Sequence, residues 1–507
     1  MSQLEQATPD NALPLGLGLI GLVLVGSLWG CLGFISEWAG IEAGLPEGLA
    51  HGLFRGIGFG TAGLTCALSS WAVYRIPSWR RQAAIGLVVY LFLLWLTPRS
   101  FTYDTGLYHL PLINHLNQIG LEWNLGWLHT RYAFFNLLLY GQSALSRLAG
   151  TVSLPSLNGL VVTGTIIFLL ETLKNEYRTL IASILVTGAI LLPSESTESF
   201  HSFNADFSLG CIFLVGCLLV TAKDQKQSRQ KTAIICLGAF LPLIKVSGLF
   251  LIPVIASGYL RRWGAKSLAK NCRRLIPLLA ILVIILSTFG YVTSGYLSYP
   301  VAGSGPLRDN SISKTQTITE SRLNTLAWAR FAYSGQIKSM SADASLRDWF
   351  PKWLVSLNGK RMTTYAILSV LAWLRLKKAR DAEEWQLMLA TNTLLWPVWI
   401  FLLPPDPRFY WGPTLLTLYA LGLSFLTRTT ARLNSCKSRK SFISSILCIC
   451  LFTSAWRSSE LTRFSYPESA GIVSEFGNKP YRSRSSNSVI RPVNGACWTI
   501  RPPCSPQ

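Results

Sequence analysis

Among the 507 residues, chemistry concentrates in a stretch that begins Arg99-Ser100-Phe101-Thr102-Tyr103-Asp104-Thr105-Gly106-Leu107-Tyr108-His109 and runs through His115 to Gly120. From Asp104 the pattern predicts a short helix. Asp104, Tyr108 and His115 then fall at i, i+4 and i+11, so a carboxylate, a phenol and an imidazole share one face. A carboxylate among aromatic groups at a membrane surface can accept a hydroxyl proton. The same residue also suits a helix N-cap, because Tyr103-Asp104-Thr105-Gly106 is turn chemistry, and both readings stand. Glu122, Trp123, Trp127, His129 and Arg131 follow. The aromatic members of that group fit an interfacial belt as well as a binding face.

Two further stretches carry cations. In Phe240-Leu241-Pro242-Leu243-Ile244-Lys245-Val246-Ser247-Gly248, Lys245 sits at a helix break, either beside an anion or snorkelling to water. In Pro404-Pro405-Asp406-Pro407-Arg408-Phe409-Tyr410-Trp411-Gly412-Pro413, the Arg408 guanidinium can grip a phosphate through two hydrogen bonds. It can equally pair with Asp406 on the surface of a Pro-rich turn. Asn204 and Asp206, at the mouth of an apolar run, suit a cap. Trp328, Arg330, Trp349 and Trp353 offer aromatic faces that suit sugars and membrane interfaces alike. Cys497 and Cys504 in the tail are compatible with a small disulfide loop or with two free thiols. No Walker motif, dinucleotide-binding glycine pattern, His-Glu-x-x-His or Cys-x-x-Cys is present, which disfavours soluble-cofactor chemistry.

The elements that must hold these residues are helices. Half of the chain is hydrophobic and 14% is charged, with apolar runs of about 17–25 residues that are long enough to cross a bilayer. Thirteen spans are expected, near 14–36, 50–74, 83–98, 155–172, 178–193, 206–222, 231–243, 247–259, 275–297, 362–376, 386–404, 411–427 and 441–457. The net charge of +22 argues for topology and against nucleic acid, because it sits in short loops: Arg75 to Arg81, Lys223 to Lys231, Arg261 to Arg274, Arg375 to Arg380 and Arg428 to Lys440. The positive-inside rule puts these in the cytoplasm. Keeping Lys223 to Lys231 and Arg261 to Arg274 on one side requires two short helices with Lys245 at their outer turn, since a mid-bilayer Lys costs about 3 kcal/mol.

With the acidic loop Glu195 to Glu198 outside, the polar run Tyr132 to Ala149 reads as a helix lying at the outer interface. The N-terminus is then cytoplasmic and uncleaved, and the C-terminus is outside. The expected organisation is an all-α polytopic bundle. Two extra helices occupy 1–82, and a main transmembrane domain spans 83–457 with outer loops at 99–154 and 298–361. A mostly irregular outer tail covers 458–507.

Across about residues 83–427 this arrangement resembles the GT-C superfamily of integral membrane glycosyltransferases, whose early outer loop carries an acid followed by a Tyr-containing amphipathic helix. Asp104 and Tyr108 match that pattern, and His129-Thr130-Arg131-Tyr132-Ala133-Phe134-Phe135-Asn136 is similar to the loop's second interfacial helix. The resemblance implies inverting transfer of a sugar from a polyprenyl-phosphate carrier to a glycan, lipid or protein acceptor. Asp104 would be the base, Lys245 and Arg408 would hold the carrier phosphate, and Tyr108, His109, His129, Arg131 and Tyr410 would line the substrate.

Two departures are plain: the acid follows the third span rather than the first, and Thr105 stands where many members have a second acid. A divalent metal is therefore not supported, and no cofactor is called for. The implied partners are membrane lipids, the lipid-linked sugar and its acceptor, with a bacterial inner membrane as the setting. Alternatives that use the same groups are a transporter or flippase for lipid-linked glycans, a polysaccharide polymerase or ligase, and an inactive structural subunit. A transporter of the repeated-half kind would show an internal repeat, and none is visible.

Overall fold

The computed structural model describes residues 15–46, 48–54, 56–57, 104, 108–149, 156–172, 203–222, 227–301, 305–308, 312–315, 325–331, 344–377, 383–426, 478–482 and 488–492. The described residues are helical apart from one antiparallel ribbon, β1 (Asn478–Arg482) with β2 (Ser488–Pro492), in a tail expected to be irregular.

The first long element, α1 (Leu15–Glu42), is apolar almost throughout. It stops where Gly44 takes a left-handed φ of +80°, a conformation open to glycine at little cost. After α2 (Leu110–Gln118) come α3 (Leu137–Ala149) and α4 (Leu157–Thr172), both packed on α1. Alongside the C-terminal half of α1, α3 runs in the same direction. A Cβ on Gly141 would lie 2.2 Å from Ser27 Oγ, one on Gly30 would lie 2.6 Å from Ala144 Cβ, and Arg147 reaches Glu37 through hydrogen bonds of 2.5 and 2.7 Å. This differs from the flat interfacial helix expected there. Polar groups that suggested water find partners inside the bundle: Gln142 Oε1 accepts from Leu157 N at 2.9 Å and Ser143 Oγ donates to Leu139 O at 2.9 Å. Packing in the opposite sense, α4 lies so close that a Cβ on Gly16 would meet Gly164 O at 2.3 Å.

At the centre stands α5 (Asp206–Thr221), buried along nearly its whole length. It is followed by α6 (Gln227–Ile244), α7 (Ile252–Arg274) and α8 (Ile276–Ser294), then by α9 (Leu346–Val355), α10 (Leu357–Leu376), α11 (Glu383–Pro397) and α12 (Trp411–Leu426). Side-chain contacts fix their directions. Gln230 of α6 donates to Ala222 O at 2.9 Å while Lys245, just past α6, reaches Asp206, so α5 and α6 are antiparallel. Beside α5, α7 runs parallel, with Ile255 against Gly216 and Arg262 donating to Val220 O. Met388 against Gly258 and Glu383 paired with Arg261 make α11 antiparallel to α7. Asn392 bonds both Ser369 of α10 and Thr417 of α12 at 3.3 Å, and α11 is antiparallel to both neighbours.

Alternation gathers residues 222, 227–230, 261–275, 375–377 and 383, with the lysines and arginines among them, at one end of the bundle. The break at Lys245, the start of α5, the end of α11 and the start of α12 lie at the other. Among the described residues two helices, Gly16–Glu42 and Ile276–Ser294, are long and apolar enough to cross a membrane, and Leu157–Leu169 and Asp206–Thr221 are shorter apolar helices. The expected spans at 83–98, 178–193 and 441–457, and most of 50–74, lie outside the described residues.

Candidate functional site

Five segments distant in sequence deliver side chains to the end opposite the basic loops. Asp104 lies in a helical turn, and a π turn at Tyr108 and His109 leads into α2, which Pro111 helps to start. His129 caps the 3-10 turn Thr130–Ala133, its Nδ1 accepting from Arg131 N at 3.0 Å, and so orients Arg131. Asn204 Oδ1 accepts from Asp206 N at 3.1 Å, fixing the first turn of α5. Lys245 is extended (φ −159°, ψ 141°) between α6 and the 3-10 turn Val246–Leu251. That break falls three residues after Pro242, which stays within α6. The turn packs so tightly that a Cβ on Gly248 would stand 2.3 Å from Leu241 O. Asp406 caps the 3-10 turn Pro407–Tyr410 by accepting from Arg408 N at 2.9 Å. Trp353 of α9 donates to Pro405 O at 2.9 Å and holds that loop from the other side.

These pieces bring three acids and three cations together. Arg408 Nη1 donates to Asp104 Oδ2 at 3.2 Å, and its Nε lies 3.4 Å from Asp406 Oδ1. Lys245 donates to Asp206 and sits 4.2 Å above the Phe409 ring. Arg131 lies 5.8 Å over Tyr108, whose ring packs 4.3 Å from His109 and 5.7 Å from His129. Burial separates the acids: the Asp104 side chain is 25% exposed, against 6% for Asp206 and 2% for Asp406.

Their electrostatics differ accordingly. Burial pushes the Asp104 carboxyl up, but cations led by Arg408, with Arg131 and Lys245, outweigh it and hold the group below the ordinary carboxylate range. Burial raises Asp406 despite its contact with Arg408. Burial lowers Lys245, with Asp206 opposing. Arg408 is raised, because Asp406, Asp104 and Asp206 overcome its burial. Burial pushes His109 down to about 4, so its imidazole is neutral near pH 7, and its buried Nδ1 has no hydrogen-bond partner among the described residues. Tyr108 is raised by burial and by Asp104 and stays protonated.

The structure brings together Asp104, Tyr108, His109, His129, Arg131, Lys245 and Arg408. His115 is elsewhere: its Nε2 faces Glu122 at 3.3 Å. The π turn adds residues per turn and rotates everything after it away from the face that begins at Asp104. Tyr410 also differs from expectation. It is 1% exposed, its hydroxyl lies 3.0 Å from the carbonyl oxygens of both Trp399 and Pro404, and it stacks on Trp396. It braces the loop, and the neighbouring Phe409 supplies the aromatic face. Asp206 binds Lys245 and makes no capping hydrogen bond. Arg408 takes both acids, Asp406 and Asp104. In the 298–361 loop, Arg330 lies 4.5 Å over the ring of Trp349. Cys497 and Cys504 lie outside the described residues.

An ionised carboxylate facing three cations can accept a proton while a phosphate is held beside it. No three His, Cys, Asp or Glu residues among the described residues cluster as a metal cage. No curated protein matches the chain. A family described as a domain of unknown function, DUF8201, matches residues 67–415, more than half of the sequence, and the chain belongs to that family.

Proposed function

We propose that this chain is a polytopic integral membrane glycosyltransferase that moves a sugar from a polyprenyl-phosphate carrier to a glycan, lipid or protein acceptor at the outer membrane face. The observation that carries this reading is the convergence of one partly exposed, ionised acid, Asp104, with Arg131, Lys245 and Arg408 at the end of the bundle opposite the basic loops. Asp104 takes the acceptor proton, Lys245 and Arg408 hold the carrier phosphate, and Tyr108, His109 and His129 shape the pocket. A carboxylate and guanidinium preset in a half-buried site stabilise developing charge without reorganisation. The likeness to the GT-C superfamily supports the same assignment.

Apolar stripes support the bilayer setting of about thirteen spans. On α10, Ile367, Val370, Leu371 and Leu374 face outward at helical spacing and are 37–55% exposed, while Met362, Ser369, Ala372 and Leu376 face the bundle. On α8, Ile276, Val283 and Ile284 are 57–62% exposed. Contiguous apolar surface of this kind calls for a lipid cover. With the basic loops cytoplasmic, the site faces outward, as in a bacterial inner membrane.

The test is transfer of radiolabelled sugar from total polyprenyl-linked donors to membrane acceptors by the purified protein, wild type against Asp104→Asn. Transfer that collapses in the variant while its melting temperature holds supports the reading. Equal transfer removes Asp104 from the chemistry. Lipid-linked glycan binding without transfer in either protein moves the assignment to transport.

A further inference from the structure

Arg408 stands between two carboxylates that are not equivalent. Asp406 belongs to the same turn, is 2% exposed, accepts from the Arg408 backbone N at 2.9 Å, and forms an ion pair with Arg408 Nε at 3.4 Å. Asp104 comes from 304 residues away, is 25% exposed, and meets the outer Nη1 at 3.2 Å. Displacing the first would unmake the turn and uncap it. Displacing the second breaks one partly exposed ion pair, made through a single 3.2 Å contact, and leaves the turn and its cap intact.

We propose that Asp406 is the positioning residue that fixes Arg408, whereas Asp104 is its exchangeable partner, displaced when a substrate anion takes the outer edge of the guanidinium. Binding the anion and freeing the base are then one event. This rests on the carrier-phosphate reading above. A phosphate presents paired oxygens that match the guanidinium fork better than the single contact Asp104 makes. Lys245 stays engaged with Asp206, so the exchange is confined to Arg408. Once released, Asp104 still faces His109, Arg131 and Lys245, but its nearest cation is neutralised by the anion, and its affinity for a proton rises. An unoccupied site thus keeps its base masked, and water entering it meets a carboxylate already bound.

The exchange makes an unusual prediction: deleting the base tightens the anion. With the detergent-purified full chain, calorimetry with farnesyl phosphate, and separately with inorganic phosphate, compares wild type, Asp104→Asn and Asp406→Asn. Asp104→Asn binds farnesyl phosphate about fivefold tighter, because the Asp104 carboxylate no longer competes for Nη1, and Asp406→Asn binds about tenfold weaker, because the fork loses its anchor. A merely structural role for both acids would move the two affinities the same way, and that result overturns the proposal. If Asp406→Asn melts early, the Asp104→Asn comparison decides alone: equal or weaker binding overturns the exchange while leaving the carrier reading standing. If neither anion binds wild type or Asp104→Asn, the carrier reading falls and the exchange falls with it.

Discussion

Asp104 and Asp406 are the same side chain in opposite surroundings, and the contrast sets what each can do. At 25% exposure Asp104 stays open to solvent, and if it acts as the proposed base, Asp104→Asn is expected to lower kcat by about 10²- to 10⁴-fold, the span of general-base catalysis. Because cations hold its carboxyl below the ordinary range, the base is ionised throughout the neutral region and is lost only as pH falls through that lowered value. A plot of kcat/KM against pH for the free protein should stay flat through the ordinary carboxylate range and drop only below it. His109 carries the opposite linkage. Its folded pKa, about 4, lies below the ordinary 6.5, so between those values the unfolded chain binds more protons and stability falls with acidification. His109→Gln should flatten the decline of melting temperature between pH 6.5 and 4, read by differential scanning fluorimetry. Lys245 and Arg408 are legible in the sequence because each sits beside a proline break and an aromatic run. Asp206 and Asp406 are not, since each also fits a local duty, a cap or a turn pair. Nothing local reports a partner 39 residues away for Asp206 or links Arg408 to Asp104.

At the scale of elements, close approach is the recurring device. A Cβ on Gly210 of α5 would lie 2.8 Å from the Gly412 backbone N and 2.8 Å from Trp411 Cβ, in the first turn of α12 that follows Arg408. Gly210→Ala should therefore cost about 1–3 kcal/mol of stability and also shift the Arg408 turn, lowering anion affinity along with melting temperature. Gly141→Ala, tight against Ser27 of α1 and in contact with none of the site residues, should lower melting temperature by a similar amount and leave affinity unchanged, so the two variants separate packing from function. Glu37→Gln leaves Arg147 partly buried without its counter-charge and should destabilise by about 3–5 kcal/mol, measured by thermal unfolding in detergent. Most helices were legible because apolar runs declare themselves, including 155–172, 206–222 and 411–427. The run Tyr132 to Ala149 was misplaced for a physical reason. Asn136, Gln142, Ser143 and Arg147 look like water-seeking groups in a single chain, yet Asn136 and Ser143 bond to the backbone of α3 itself, while Gln142 meets Leu157 of α4 and Arg147 meets Glu37 of α1 once the helices pack together.

The whole molecule sorts its loops by charge. Arg261 to Arg274, Arg375 and Lys377 share one end, and Asp104, Lys245 and Arg408 share the other, as the parity of basic loops along the sequence requires. In a cysteine-less background, a cysteine at Leu307, which is 55% exposed near the site end, should react with a membrane-impermeant maleimide in intact cells. One at Lys266 should react only after permeabilisation, and the reverse pattern would invert the topology. The sequence could pose this arrangement but not the pairing of particular charges within it, because which helix stands beside which depends on glycine contacts such as Gly16 with Gly164 and Gly210 with Gly412. The distance along the chain between Asp104 and Arg408 has a further consequence, in time. At about 5–20 residues per second of synthesis, those 304 residues separate the two halves of the ion pair by roughly 15–60 s. Throughout that interval the nascent chain holds the acid, joined partway by Lys245, but no completed cluster, so a ribosome that stalls before Arg408 leaves Asp104 without its guanidinium partner.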